Sequence, residues 1–189
     1  MSGRADRLWV VWEQQRRSAQ LAERLGCEFY VFDLKGSWRY PKSIAHTIRV
    51  LVARRPRRLF VQNPSMVLAT LACLVGLLTR TFVVVDRHTT FALNRTWKSA
   101  IQRNLFFLLH RFTLRNADLT IVTNAPLAGM VHQGGGRAVV LPDPIPHLAP
   151  RGAPKLLGQR NVLVISSFSD DEPIAEILKA AGRIPDPEV

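Results

Sequence analysis

Short apolar runs alternate along this chain with longer segments of helical spacing. Leu8 to Trp12 (LWVVW) is predicted as a strand, and Ser18 to Leu25 (SAQLAERL) as a helix stopped by Gly26. Glu28 to Phe32 is a second strand. Pro41 suits a first helical turn, and Ile44, Ile48, Leu51 and Val52 then recur at helical spacing until Pro56 disfavours helix just before it. Arg58 to Gln62 is a third strand, and Asn63-Pro64-Ser65 turns the chain into an apolar helix, 66–79. Thr81 to Val85 is almost entirely β-branched or aromatic, as in a strand buried on both faces. A helix from about Trp97 to Arg115, a strand Leu119 to Thr123, a helix Pro126 to Gln133 and a strand Ala138 to Leu141 complete the alternation.

Strand–helix alternation of this kind builds a parallel sheet with helices on both faces, a Rossmann-like α/β fold. The texture changes at Pro142, Pro144, Pro146, Pro150 and Pro154, which mark a linker. A strand over 161–165 and a helix over 171–181 follow. The expected organisation is thus a domain over 1–141, a linker over 142–160, and one βα unit over 161–189.

Charge changes the picture next. The net charge is +12, and 21 of the 26 basic residues are Arg. The excess lies before residue 116, where 20 basic residues face 6 acidic ones. An anionic partner of the first domain would explain this: a lipid surface, a phosphorylated ligand or nucleic acid. An Arg-rich proteome would explain part of it too. No nucleic-acid motif is present, and no G-x-G-x-x-G follows the first strand, which disfavours a dinucleotide-binding domain. Cys27 and Cys73 have no metal-like spacing and read as buried reduced thiols. The longest apolar run, Met66 to Leu78, is too short to span a bilayer.

The candidate chemistry follows the strand 81–85. Its run ends in Asp86, Arg87, His88, Thr89 and Thr90, and ligands of open α/β sheets sit beyond the carboxyl ends of strands. A capped polar loop with one surface His is the plainer alternative. Arg16 and Arg17 open a helix, where a phosphate could be held or where two solvated arginines could simply sit. Asn63 and Asn124 leave their strands at the same edge, to bind hydroxyls or to satisfy the turns. His46, His110, His132 and His147 read as surface residues, and Asp143 as a hinge residue.

Several stretches, in order, resemble the N-terminal half of a GT-B glycosyltransferase of the family-four-like group, which builds polysaccharides and lipid-linked sugars. LFVQNPSMVLATLACLVGLL resembles the strand, "QNPP" turn and apolar helix of dolichol-linked mannosyltransferases and their bacterial relatives. VVVDRHTTF resembles the next strand and its D-x-H turn. NADLTIVTNAPLAGMV, VVLPDPIP and NVLVISSFSDDEPIAEILKAA resemble the strand and helix before the hinge, the interdomain connection and the opening of the donor domain. The resemblance implies an acceptor-binding domain followed by the start of a truncated donor domain. It implies transfer of a sugar from a nucleotide-sugar to a lipid-linked or glycan acceptor. It places His88 in the cleft near the donor sugar, as the candidate catalytic residue. Asp86, two residues earlier, could fix its orientation or cap the turn, and Arg16, Arg17, Asn63, Thr89 and Asn124 stand by their positions as candidate substrate contacts. Neither cofactor nor metal is implied. The glycine pair that many relatives carry after the first strand is missing here, where Glu13-Gln14-Gln15 stands. The fragment alone is expected to be inactive.

A cytoplasmic protein attached peripherally to the inner face of the membrane is the expected setting. On an ideal helix over 97–115, Ile101, Leu105, Leu108, Leu109 and Phe112 share a face that should pack on the sheet. Phe106, Phe107 and Leu114 then face outward among Arg103, His110 and Arg111. Aromatics set among cations suit an anionic leaflet. The rival reading is a non-catalytic basic module on a membrane surface or polyanion.

Overall fold

The structure, a computed structural model, describes residues 6–63, 65–88, 97, 99–143, 163–166 and 173–183. The chain divides into two compact units, 1–145 and 146–189. The first contains six parallel strands: β1 (Arg7–Val11), β2 (Glu28–Val31), β3 (Arg58–Asn63), β4 (Phe82–Arg87), β5 (Leu119–Val122) and β6 (Ala138–Val140). Their order across the sheet is β2-β1-β3-β4-β5-β6. The helices between them are α1 (Arg16–Arg24), α2 (Arg39–Arg54), α3 (Met66–Thr79), α4 (Ala100–Asn116) and α5 (Ala125–Gln133). The expected α/β architecture is the observed one.

Strand order decides which face each helix covers. Crossovers between parallel strands are right-handed, so α1, leading leftward from β1 to β2, lies on one face, and α2 to α5, leading rightward, lie on the other. The core follows that division. Leu21 and Ala22 of α1 pack with Trp9, Val11, Phe60, Val84 and Ile121. Leu51 of α2 and Leu68, Ala69, Ala72 and Cys73 of α3 pack with Leu8, Val10, Leu59, Val61, Val83 and Val85. Alternate residues of β1, β3 and β4 therefore serve two cores, which is why those strands read as unbroken apolar runs. α3 lies close against β4 because Gly76 has no side chain; a Cβ there would stand 2.5 Å from Val83 Cγ2.

Two expectations change. The strand at 81–85 runs on to Arg87, because β3 is long enough for Gln62 and Asn63 to pair with Asp86 and Arg87. Asp86 and Arg87 are therefore strand residues, 1% and 4% exposed, and of the described residues of that polar run only His88 leaves the sheet. The second change concerns α4. Ile101, Leu105 and Leu108, expected against the sheet, are 79%, 54% and 64% exposed, whereas His110, Thr113 and Leu114 are buried. The helix is turned the other way: its inward side is the one with His110, Thr113 and Leu114, and it packs chiefly on α3. His110 bonds to Arg87 at the end of β4, and Asp118 Oδ2 accepts the Val83 amide near the start of that strand at 2.7 Å. Ile101, Leu105 and Leu108 lie on the opposite side of the helix from His110 and Leu114 and are left exposed.

In the second unit, α6 (Ile174–Ala181) falls within the expected helix. Of the expected strand over 161–165, residues 163–165 take no regular structure, and 161 and 162 lie outside the described residues.

Candidate active site

The sheet order reverses between β1 and β3, and a cavity of about 430 Å³ opens there. This is where open α/β sheets place their ligands. Trp12 and Glu13 line it from the end of β1, Gln62 and Ser65 from the end of β3, His88 from the end of β4, and Tyr40 and Ser43 from the first turns of α2. A larger groove, about 860 Å³, lies between the C-terminal halves of α2 and α3. It opens at the opposite strand ends, so the smaller cavity is the candidate site.

Each wall is fixed by packing or hydrogen bonds. Trp12 Nε1 donates to Thr47 Oγ1 at 3.0 Å, and Thr47 donates to the Ser43 carbonyl at 2.7 Å. Tyr40 meets the Trp12 ring edge-on at 6.1 Å, with the Arg39 guanidinium 4.5 Å over its face. Gln62 is 2% exposed, and its Nε2 has no partner among the described residues; the same holds for His88 Nδ1 and Asn63 Nδ2. Buried donors are nearly always satisfied, and their exceptions collect at functional sites.

Beside the cavity, on the α1 face, lies an ion pair. Arg17 Nε reaches both carboxylate oxygens of Asp86 at 3.2 Å, and Nη2 reaches Oδ1 at 3.1 Å. Its remaining donors go to Asp143 Oδ1 at 2.6 Å and the Leu141 carbonyl at 2.9 Å. Arg17 thus joins α1, β4 and the chain after β6, with its donors spent on protein. Burial works against its charge, but the hydrogen bonds and charges of Asp86 and Asp143 outweigh this and raise its pKa. Burial also pushes the Asp86 carboxyl up, and Arg17 pulls it part of the way back.

The sequence-derived residues therefore separate. His88 is in the cavity. Asp86 stands behind it, held by Arg17 rather than hydrogen-bonded to His88. Asn63 is buried at the end of β3, and Arg16 is exposed at the start of α1. Asn124 caps α5, accepting from the Leu127 amide at 3.0 Å. Thr89 lies outside the described residues. Trp12, Tyr40 and Gln62 escaped the sequence reading. The amide beside Asn63 in the otherwise apolar run of RLFVQN was the available signal for Gln62.

His110 also needs correcting from surface to buried residue, 9% exposed. Arg87 Nη1 stands 3.1 Å from its Nδ1. A guanidinium only donates, so Nδ1 accepts and the proton of the neutral ring sits on Nε2. Burial, and then the charge of Arg87, lower the His110 pKa from 6.5 to about 4. Because the folded value lies below the unfolded one, this stabilisation is complete above the unfolded pKa and fades as pH falls through the folded one. Unfolding free energy should drop by about 2.5 kcal/mol from this group between about pH 7 and about pH 4.5. Urea titrations of wild type and His110→Gln at both pH values check this; an equal drop in both proteins would contradict it.

Cys27 and Cys73 are free, and burial pushes their thiols up to about 11 and about 12, so neither is a ready nucleophile. Among the described residues no cluster of His, Cys, Asp or Glu could hold a metal ion, and no helix is long and apolar enough to cross a membrane.

No curated protein and no solved structure matches the chain. The family model for the glycosyl transferase 4-like domain matches residues 3–143, from just before β1 to the aspartate that grips Arg17. With the Rossmann-like sheet and the cavity at its switch point, the chain belongs to the glycosyl transferase 4-like family.

Proposed function

We propose that this domain is the acceptor side of a glycosyltransferase that moves a sugar from a nucleotide-sugar onto a lipid-linked or glycan acceptor at the cytoplasmic face of a membrane. The observation that carries the reading is the cavity itself, where an imidazole, an unpartnered amide and an aromatic corner converge. A sugar offers hydroxyls at its edges and C–H groups on its faces. Gln62, Ser43 and His88 suit the former, and the corner of Trp12 and Tyr40 suits the latter.

In this reading His88 hydrogen-bonds the reacting group as charge develops on it. Asp86 acts at one remove, through the ion pair that shapes the edge. Arg16, Asn63, Thr89 and Asn124 are the remaining candidates for phosphates and hydroxyls. The reaction as read needs no metal. The test is acceptor-dependent release of nucleoside diphosphate from a panel of nucleotide-sugars, measured with this domain joined to a donor-binding domain. Release that ignores every glycan and lipid-linked acceptor would remove the acceptor role.

A second reading, a basic module without chemistry on an anionic membrane, draws on the exposed face of α4. Ile101, Leu105, Leu108 and Phe107 are exposed there, near Arg103 and Arg111. Ile101, Leu105 and Leu108 replace Phe106 in the proposed insertion face, since Phe106 stacks on His110 at 6.0 Å and meets the tilted ring of Trp97 at 4.9 Å. Co-flotation with anionic liposomes is expected, and Ile101→Ser with Leu108→Ser should weaken it roughly tenfold or more. Salt should weaken it only in part, by screening the arginines. Wild type that ignores anionic vesicles at low salt would remove the membrane from both readings.

A further inference from the structure

Among the described residues Arg87 is a buried cation without a counter-ion. It is 4% exposed, yet its one hydrogen bond among the described residues goes to a neutral imidazole, and Nε and Nη2 have no partner there. The sequence explains why. Between Asp33 and Asp118 the only acidic residue is Asp86. Thus α2, β3, α3, β4, α4 and every residue linking them offer one carboxylate in all, and Arg17 holds it on the other face of the sheet. Asp118, the next acid, is engaged near the far end of β4 by the Val83 amide.

An uncompensated buried charge is expensive, and groups so placed ordinarily shed it or find a partner. A guanidinium holds its proton at neutral pH even here, where burial lowers its pKa to about 10. The surroundings add donors rather than acceptors. Asn63, the register partner of Arg87 on β3, shares its side of the sheet and has an unpartnered Nδ2. α3 starts three residues after Asn63; the Ser65 hydroxyl accepts from the Leu68 amide at 3.4 Å, which leaves the amides of Met66 and Val67 without a partner within the helix. Thr113, which bonds the His110 carbonyl at 2.9 Å, also reaches Met66 Sδ at 3.7 Å, so the first residue of α3 belongs to the same cluster.

We propose that Arg87, Asn63 and the N-terminus of α3 form an anion site that takes a phosphate-type oxyanion at the carboxyl ends of β3 and β4. The site faces α3 and α4, across the sheet from the Arg17–Asp86 pair. It rests on the pairing of these residues and not on sugar transfer, so either can fail without the other. A tetrahedral oxyanion supplies what the cluster lacks: a negative charge, and several acceptors for donors converging from a side chain, an amide and a helix end.

Calorimetric titration of the full chain with pyrophosphate, at constant ionic strength, tests it. Saturable binding at one site is expected. Arg87→Met should weaken it by on the order of ten- to a hundredfold, the loss of hydrogen bonds to a charged group. Its melting temperature should hold or rise, since an unpaired buried charge has gone. Arg103→Met, which removes an exposed arginine of α4, should leave the affinity alone. Asn63→Asp gives Arg87 an internal carboxylate, so it should abolish anion binding and raise stability, and it decides the matter if Arg87→Met does not fold. Vesicles containing phosphatidic acid, compared with pure phosphatidylcholine, separate the sources. Arg87-dependent binding of the vesicle but not of pyrophosphate assigns a lipid headgroup, and the reverse assigns a soluble phosphate. Equal affinities of wild type and Arg87→Met, only unsaturable uptake that salt removes, or a destabilised Asn63→Asp would overturn the proposal.

Discussion

Arg17→Met is expected to destabilise the first domain by about 3–5 kcal/mol, the cost of leaving a buried carboxylate without its partner. Asp86 is 1% exposed and both its oxygens face Arg17, so no water takes over when the guanidinium is removed. Methionine keeps most of the side-chain length, so the loss reports charge and hydrogen bonds more than a cavity. In thermal melts this corresponds to roughly 10 °C or more for a domain of this size. Asp143→Ala should cost far less, under about 1 kcal/mol, because Asp143 is 66% exposed and its pairing is screened. The double variant Arg17→Met with Asp86→Leu should recover much of the loss, since a buried ion pair replaced by apolar groups is often neutral. Urea denaturation of the four proteins separates these cases. A single-variant cost below that of Asp143→Ala would mean that the pair contributes nothing to the fold.

The two strand ends show how far the sequence could be read. β-branched and aromatic residues at Phe82 to Val85 announce a buried strand from local composition alone, because each needs a pleated, apolar surroundings on its own account. Asp86 and Arg87 look like a turn by the same rule, since charges seldom occupy buried strands. What keeps them in the strand is remote: Gln62 and Asn63 provide backbone pairing, Arg17 answers one charge, and the other goes unanswered. None of these partners is adjacent in sequence.

α4 fails in a different way. Its helical period was legible, but a period says which residues share a face and not which face turns inward. The contact of His110 with Arg87 and the burial of Thr113 and Leu114 turn the expected outer face to the core. His88 was found because it is the first residue past a strand end. Trp12, Gln62 and Tyr40 were not, because the crevice they share exists only once β1 and β3 are known to be neighbours.

His88→Ala should lower kcat/KM by on the order of tenfold to a thousandfold in an enzyme that joins this domain to a donor-binding one, the loss of about 1.4 to 4 kcal/mol of polar contact in the transition state. His88 is half-buried at the cavity wall, and its Nδ1 is unpartnered among the described residues. Melting temperature should therefore hold within a few degrees, in contrast to Arg17→Met. His88→Gln keeps a donor near the same place and should recover part of the rate if a hydrogen bond is what matters. A histidine acting as a base would not be rescued in this way, since an amide takes up no proton near neutral pH. If kcat/KM holds while the melting temperature falls by as much as in Arg17→Met, His88 is a structural residue of the strand end, and the chemistry of the cavity rests on Gln62 and its neighbours instead.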